Sequence, residues 1–125
     1  MSLKILYVED EADIRAVAEI ALETVGGFTL CQFASGEAAL AGAEACAPDL
    51  LLLDVMMPGM DGPTTLQRLR ELPATAQTPA IFMTAKVQPT EIAYFKSLGA
   101  LDVIAKPFDP MALAGQIQQI WEGRS

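Results

Sequence analysis

The residues of this chain best suited to chemistry each follow a short apolar run. They are Glu9, Asp10, Asp54, Thr84 and Lys106. Asp54 stands directly after four leucines and before a turn that contains proline and glycine, a pattern typical of a strand that is buried on both faces. In open parallel sheets, ligands bind at the carboxyl ends of the strands. We therefore expect these side chains to meet at one edge of a sheet.

Carboxylates gathered at one edge repel each other. At about 4 Å and an effective dielectric near 20, each pair costs on the order of 4 kcal/mol, so one carboxylate is pushed toward protonation unless a cation lies beside it. Lys106 offsets part of this repulsion, and the rest favours a hard divalent ion. The chain contains no histidine, and oxygen ligands alone favour Mg²⁺. Because Mg²⁺ commonly bridges to phosphate oxygens, the cluster predicts a site for a metal, a nucleophilic carboxylate and a phosphoryl group.

Each of these residues also has a simpler interpretation when it is taken alone. An acidic pair such as Glu9-Asp10 suits the N-terminus of the next helix, and an aspartate before a loop, such as Asp54, often bonds its own backbone in a turn. A threonine at a strand end is commonly satisfied by the backbone, and a lysine is commonly solvated. The coincidence of such residues at every predicted strand end but the second favours a shared site.

The elements that must position these residues alternate between strand and helix. Strands alternating with helices of about 10–15 residues imply parallel βαβ units. The sequence thus predicts an α/β fold, one doubly wound domain over residues 1–125. The predicted strands are 3–8, 28–33, 49–53, 79–83 and 101–104. The predicted helices are 14–25, ended by Gly26-Gly27; 35–46, capped by Ser35; one from Gly62-Pro63; 88–98, ended by Gly99; and one capped by Asp109, with Pro110 in its first turn.

Within these helices, apolar residues recur at a spacing that predicts which side chains face the core. In the first helix the predicted inward residues include Val17 and Val25. In the last helix they are Leu113, Ile117, Ile120 and Trp121.

Composition narrows the classes of function. The chain has 16 acidic and 8 basic residues, a net charge of −8, and no basic stripe, so direct binding to nucleic acid is not expected. No uncharged apolar run reaches the roughly 18 residues of a membrane span, and the N-terminus lacks a signal-peptide pattern. Cys31 and Cys46 form no metal-binding motif, and we expect both to be free thiols in a reducing cytoplasm.

Taken together, these motifs resemble those of the receiver domain of bacterial two-component response regulators, including the chemotaxis regulators. The resemblance covers essentially the whole chain and implies a flavodoxin-like (βα)5 fold with strand order 2-1-3-4-5. The matching motifs are Glu9-Asp10, Leu51-Leu52-Leu53-Asp54, the segment 57–62 with its Met-Pro-Gly-Met-Asp-Gly sequence, Met83-Thr84-Ala85 and Lys106-Pro107-Phe108.

The resemblance implies a metal site with distinct ligands. Asp10 and Asp54 would bind Mg²⁺ directly, together with the backbone carbonyl of Met56. Glu9 would hold the ion through water.

The resemblance also implies how the phosphoryl group is received. Asp54 would accept it from a phosphohistidine on a sensor histidine kinase or a histidine phosphotransfer protein. Lys106 would pair with Asp54 at rest and with the phosphoryl oxygens afterwards, and Thr84 would move toward a phosphoryl oxygen and bond it. Pro107 would follow a cis peptide bond that positions Lys106.

One position departs from the family pattern. The family usually has an aromatic residue three positions before the matched lysine, and its rotation is coupled to the movement of the threonine; here that residue is Val103. Tyr94 and Phe95 could substitute for it, although Phe95 also suits the core. We therefore expect activation through the loop 84–88 and the helix that follows.

Two further positions bear on how long the phosphate lasts. In this family, the residues two after the phosphoacceptor and two after the threonine flank the path of the attacking water; here they are Met56 and Lys86. Met56 offers no group to orient water. Lys86 could pair with the phosphate or reach solvent.

The residues of the predicted site leave several possible functions to compare. A receiver that works alone and one that is part of a longer regulator or hybrid kinase both fit, although little chain follows Trp121. An alternative is a Mg²⁺-dependent phosphatase that forms an aspartyl phosphate, but such enzymes usually place a second acid where Met56 stands. A flavodoxin-like cofactor protein would need a phosphate-binding loop where the acidic Glu9-Asp10-Glu11 occurs.

The receiver interpretation carries further expectations. The domain would be a phosphoacceptor with slow self-dephosphorylation and no separate substrate. It would be cytoplasmic, a monomer or weak dimer, and would act on a downstream protein that the sequence does not identify.

Overall fold

The structure, a computed structural model, describes residues 3–124; Met1, Ser2 and Ser125, at the ends of the predicted domain, lie outside it. Strands and helices alternate as the sequence predicts. The strands are β1 Lys4–Val8, β2 Thr29–Phe33, β3 Leu50–Asp54, β4 Ala80–Thr84 and β5 Asp102–Ala105. The helices are α1 Ala12–Glu19, continued by a π-helical segment Ile20–Val25, then α2 Gly36–Cys46, α3 Gly62–Leu69, α4 Pro89–Ser97 and α5 Leu113–Glu122.

The strands form one parallel sheet in the order β2-β1-β3-β4-β5. The predicted strand order and fold class are therefore confirmed. Every residue of β3 and of β4 is buried, because each of these inner strands has a neighbour on both sides and helices over both faces. The run of leucines before Asp54 is the sequence signature of that position.

Side chains on the two faces of the sheet form two separate cores. Alternate residues of a strand point to opposite faces, so neighbouring leucines of β3 contribute to different cores. Helices α1 and α5 cover one face, and the core there includes Ile5, Tyr7, Leu22, Leu52 and Ile117. Helices α2, α3 and α4 cover the other face, with Leu6, Leu51, Leu53, Leu69, Phe82 and Phe95 in its core.

Helix starts follow local signals closely where a cap is present. Ser35 Oγ accepts the amide of Ala38 at 3.1 Å, as predicted for the cap of α2. Helix α3 begins at Gly62, and Asp61 Oδ1 accepts the amide of Thr64 at 2.9 Å. No helix among residues 3–124 is long and apolar enough to cross a bilayer.

The last helix starts later than the sequence suggested. The prediction that Asp109 caps it is wrong, because α5 begins at Leu113. Asp109 Oδ1 instead accepts the amide of Met111 at 2.9 Å, and the Asp109 carbonyl accepts the amides of Ala112 and Leu113. These bonds fold the segment into a turn that precedes the helix. Leu113 and Ile117 are buried as expected, whereas Ile120 and Trp121 only pack against the core edge.

The first helix buries a narrower face than the apolar spacing predicts. Ala18, Ala21 and Leu22 are fully buried. Val17 and Val25, predicted to face the core, are 41% and 45% exposed. The wider turn of the π-helical segment changes the angle between successive side chains, which moves Val25 off the face that an uninterrupted α-helix would bury.

The two cysteines are joined, so the expectation of free thiols is wrong in this structure. Cys31 in β2 and Cys46 at the end of α2 form a disulfide, with their Cα atoms 6.3 Å apart. The crossover from β2 through α2 brings the helix end back over the strand. Their separation of 15 residues in sequence carries no signal of this pairing.

Candidate functional site

The carboxyl ends of β1, β3 and β5 bring the acidic residues and the lysine to one place. Carboxylate oxygens of Glu9, Asp10 and Asp54 all lie within 4.8 Å of one another. Glu9 and Asp54 are buried, and Asp10 is half-buried. Three carboxylates at this separation, with so little solvent around two of them, repel each other strongly.

Lys106 lies between two of these carboxylates. Its Nζ donates to Glu9 Oε1 at 2.8 Å and to Asp54 Oδ1 at 3.1 Å. The resemblance implied the bond to Asp54; the shorter bond to Glu9 was not foreseen. The peptide bond between Lys106 and Pro107 is cis, as expected.

The pKa values of the ionisable groups in the site reflect their burial. Burial raises the pKa of Asp54, and the nearby Asp10 carboxylate adds to the effect, while the bond from Lys106 opposes it. Burial likewise raises the pKa of Glu9, again against the bond from Lys106. Burial would lower the pKa of Lys106, but its bonds to Glu9 and Asp54 outweigh burial and hold that pKa above the ordinary value.

The donor set suits a hard divalent cation. Three carboxylates against one ammonium leave an excess of two negative charges when all are ionised. No group among residues 3–124 donates a hydrogen bond to the carbonyl of Met56, so this oxygen is also available as a ligand. Oxygen atoms alone, from carboxylates and a backbone carbonyl, are the ligands that Mg²⁺ takes. A bound ion would relieve the repulsion that Lys106 leaves.

Thr84 lies at the same edge, on the other side of Asp54. Asp54 pairs in register with Met83, so Thr84 is the next residue along the neighbouring strand. Its side chain is buried, and Oγ1 accepts the amide of Lys86 at 3.2 Å. The hydroxyl proton of Thr84 has no acceptor among the described residues and can be donated to an incoming oxygen.

The chain after β3 holds Asp54 in place. The amide of Val55 donates to the carbonyl of Met83, and the amide of Gly62 donates to the carbonyl of Val55 at 2.9 Å. A Cβ atom at Gly62 would clash with the backbone oxygen of Asp54. Only glycine therefore allows α3 to begin so close to the end of the strand.

A match over most of the sequence shows the family of this chain. The model of the response regulator receiver domain matches residues 5–118. The chain belongs to this family. The match contains every residue of the site described above, from Glu9 to Lys106.

Relatives and solved structures agree with this assignment. The receiver is 34% identical over 116 residues to the transcriptional regulatory protein CseB of Streptomyces coelicolor, covering 93% of this chain and 48% of CseB. It is 36% identical over 118 residues to the regulatory protein VanRc of Enterococcus gallinarum, covering 94% and 49%. The chain thus spans about half the length of these curated relatives.

Among solved structures, the receiver is similar to the chemotaxis response regulator CheY4 of Vibrio cholerae. The TM-score is 0.87 at 29% identity, covering 96% of this chain and 99% of that one. It is also similar to the N-terminal domain of a response regulator receiver protein from Methanoculleus marisnigri, with a TM-score of 0.75 at 37% identity and 98% of both chains covered.

Two residues near the site escaped the sequence analysis. Arg15, on α1, donates from Nη1 to the backbone carbonyl of Glu9 at 2.6 Å. The available signal was a cation six residues after Glu9, early in a predicted helix. Tyr7, fully buried in β1, lies two residues before Glu9; its hydroxyl was hidden within an apolar strand pattern.

The surroundings of Val103 contain the aromatic rings that the fifth strand lacks. Val103 pairs in register with Phe82 of β4. The ring centroid of Phe82 lies 5.1 Å from that of Phe95, and Phe95 lies 5.3 Å from Tyr94. Phe95 is buried, as its alternative role in the core predicted, whereas Tyr94 is 55% exposed. A row of rings thus runs from β4, two residues before Thr84, to the surface of α4.

We predict that Mg²⁺ stabilises the folded receiver. A ligand that binds only the folded state adds RT ln(1 + [L]/Kd), about 2.7 kcal/mol at one hundred times Kd. Denaturant titration should show this gain for the wild type and little gain for Asp10→Asn, which lacks one carboxylate. Asp49→Asn, in the exposed bend before β3, is the control and should keep the full gain. Equal stabilisation of Asp10→Asn and wild type would show that Mg²⁺ does not bind at this site.

The stability measured by this denaturant titration should depend on pH. Because burial raises the pKa of Glu9 and of Asp54, the folded state holds these protons more tightly than the unfolded chain. The site therefore stabilises the metal-free protein at low pH, and this contribution is lost as pH rises through the raised pKa values. Mg²⁺ needs deprotonated carboxylates, so its effect should grow over the same pH range.

Proposed function

We propose that this receiver accepts a phosphoryl group on Asp54 from a phosphohistidine, in a Mg²⁺-dependent reaction of two-component signal transduction. One observation carries the proposal: the buried Asp54 carboxylate accepts from Lys106 at 3.1 Å and lies within 4.8 Å of two further carboxylates at the end of a buried strand. A nucleophile, a fixed cation and a set of metal ligands thus meet at one point. Phosphoryl transfer depends mainly on such positioning and on neutralisation of charge.

The residues divide the work of transfer between them. An oxygen of Asp54 attacks the phosphorus, the bond from phosphorus to the imidazole nitrogen breaks, and an acyl phosphate forms. Asp10, Asp54 and the carbonyl of Met56 would hold Mg²⁺, with Glu9 acting through water, and the ion would supply positive charge to neutralise the phosphoryl oxygens. Lys106 pairs with one of these oxygens, and the free proton of Thr84 is donated to another.

A phosphatase is not favoured by the residues present. Met56 stands where such an enzyme would need a second acid, and its side chain is 74% exposed and apolar. The domain is instead an acceptor that loses its phosphate slowly and turns over no separate substrate. None of the relatives and structures named above is described as a phosphatase.

Activation passes through the loop after β4 rather than through β5. To donate to a phosphoryl oxygen, the Thr84 side chain moves toward Asp54, and this movement strains the bond that Thr84 Oγ1 accepts from the amide of Lys86 and pulls on the loop 85–88. That loop leads directly into α4 and its row of aromatic rings. An open groove of about 730 Å³ between α3 and α4 gives α4 room to shift. Val103 has no ring that could move in response.

The partners follow from this chemistry. The phosphoryl donor is a sensor histidine kinase or a histidine phosphotransfer protein, and the receiver then acts on a downstream protein. The net charge of −8 argues against direct binding of this domain to nucleic acid. We place the domain, residues 1–125, in the cytoplasm as a monomer or weak dimer.

Phosphorylation by a small acyl phosphate with Mg²⁺ tests the central claim. We expect the wild type to incorporate phosphate and Asp54→Asn to incorporate none, because the amide oxygen is a poor nucleophile. Mass spectrometry of the intact protein measures the added phosphoryl group. Asp49→Asn, just before the same strand, is the matched control and should behave as the wild type does. Equal incorporation in Asp54→Asn and wild type would defeat the proposal.

The lifetime of the phosphate should depend on Met56. An amide at this position can orient the attacking water, so Met56→Asn is expected to shorten the half-life about fivefold, the effect of one hydrogen bond worth about 1 kcal/mol. Decay of the phosphorylated protein measures the half-life. Met111→Asn is the control, since Met111 is equally exposed, at 74%, but lies after β5. An unchanged half-life in Met56→Asn counts against this role.

The activation route predicts where the backbone changes. On addition of beryllofluoride and Mg²⁺, amide hydrogen exchange should change in the loop 85–88 and in α4, because Thr84 leaves the Lys86 amide. Val103→Ala should leave this pattern in place. A large change in β5 and α5 with an unchanged loop would contradict the route.

A further inference from the structure

Helix α2 is held against the sheet by small side chains. Its buried residues are Gly36, Ala39, Ala43 and Cys46. The stabilisation that burial gives grows with the apolar area removed from water, and none of these side chains is large. Non-covalent packing therefore holds α2 less firmly than it holds α3, whose buried residues include Leu66 and Leu69.

The disulfide is the covalent link across this lightly packed contact. Cys31 is half-buried in β2, an edge strand that pairs with β1 alone. Cys46 ends α2 and is 6% exposed. Phe33 lies two residues after Cys31 and so on the same face of the strand, and its ring packs against α2 at Gly42, where a Cβ atom would clash with it. The disulfide and this ring together attach α2 to β2.

The fold does not depend on the bond. Disulfides are usually needed only in domains below about 40 residues, and this chain has 125 residues and two apolar cores. A reduced cysteine packs as a small apolar residue, so Cys31 and Cys46 suit the same core in either state. The chain has no third cysteine, so oxidation within one molecule has a single product.

Both attached elements lead to the phosphoacceptor site. At the end of β2, the carbonyl of Phe33 accepts the amide of Glu9 at 3.1 Å. At the start of α2, Gly36 packs closely against Met60, in the loop between β3 and α3, and Thr65 of α3; a Cβ atom there would clash with both. A more firmly held α2 therefore restrains the backbone of Glu9 and the loop that follows β3.

We propose that Cys31 and Cys46 form a reversible redox modification site: a small-molecule disulfide such as glutathione disulfide closes the bond, the corresponding thiol opens it, and the closed bond fixes α2 on the sheet. The inference goes beyond the proposed function and does not rest on it. The redox state of the surroundings thereby sets the stability of the receiver and the order of the elements that support its acidic residues.

The exchange proceeds in two steps that start at the more exposed cysteine. The thiolate of Cys31 attacks one sulfur of the small disulfide, whose bond breaks; one thiolate leaves and a mixed disulfide remains. The Cys46 thiolate then attacks the sulfur of Cys31, and the second small thiolate leaves. The two cysteines lose two electrons to the small disulfide, and their two protons end on the two released thiols.

Glutathione buffers of different ratio test the inference on the wild type. Acid quenching, alkylation of free thiols and mass spectrometry of the intact protein measure the fraction that carries the disulfide. This fraction should rise with the share of oxidised glutathione and fall when reduced glutathione is added. The urea midpoint of the oxidised protein should be higher by about 1–2 M, because the bond closes a loop in the unfolded chain.

Amide hydrogen exchange shows where the bond acts. In native buffer, the amides of α2 and of Glu9 should exchange more slowly in the oxidised protein, because local opening of α2 and of the end of β2 is restrained. Cys31→Ser and Cys46→Ala are the matched variants. Neither can form the bond, so the urea midpoint and the exchange of each variant should be the same in oxidising and reducing buffer.

Three results overturn the inference: a wild type that forms no disulfide within the chain, a disulfide that reduced glutathione does not open, or an oxidised form with the urea midpoint and α2 exchange of the reduced form. None of these measurements involves a phosphoryl group. Failure of Asp54 to incorporate phosphate would therefore overturn the proposed function alone.

Discussion

The contact of Lys106 with Glu9 and Asp54 is the interaction on which the rest of this site depends. One ammonium group bridges two buried carboxylates while a third lies nearby, so the resting site is held together and yet keeps excess negative charge. Such an arrangement is far from a stability optimum. Burying ionised carboxylates costs free energy, and the attraction of one lysine offsets only part of that cost. The repulsion that remains is the physical basis of the proposed binding of a cation and, through the same lysine, of a phosphoryl group.

The fold can accommodate this cost because the inner strands under the site are buried throughout. Strands β3 and β4 are buried along their whole length, and fully burying each leucine of β3 contributes about 1.5–3 kcal/mol. The polar groups stand only at the strand ends, where loops begin. The apolar body of the sheet therefore fixes the position of Asp54, while the segments that must respond to phosphorylation lie outside it. The apolar body of each strand thus stabilises the fold, while the polar groups that are proposed to respond lie at its end.

Helix α4 links the site to the surface without a ring in β5. The contacts from Phe82 through Phe95 to Tyr94 join the interior of β4 to an exposed side chain. With Val103 beside Phe82, the fifth strand offers bulk but no side chain with two distinct orientations. A bistable element is needed for a local change to have a distant effect, and in the activation route proposed for this receiver it is the loop after Thr84 together with α4.

The sequence by itself determined the strand and helix alternation, the buried character of the leucine run, the cap at Ser35 and the meeting of Glu9, Asp10, Asp54 and Lys106 at one edge. These follow from local patterns, together with the rule that parallel strands end on the same side. Its resemblance to receiver domains supplied the strand order and the cis bond before Pro107. Where local signals conflicted, as at Asp109-Pro110, a turn replaced the predicted helix start.

Only the tertiary structure decided the rest. The disulfide between Cys31 and Cys46, the bond from Lys106 to Glu9 across 97 positions and the contact of Arg15 with the Glu9 carbonyl depend on how the elements pack. So does the burial of the Tyr7 hydroxyl, which has no hydrogen-bond partner among residues 3–124. Propensity and periodicity act over a few residues, whereas the distance between two side chains on different elements is set by the whole core. The sequence thus named most of the residues of the site, and packing decided which atoms meet.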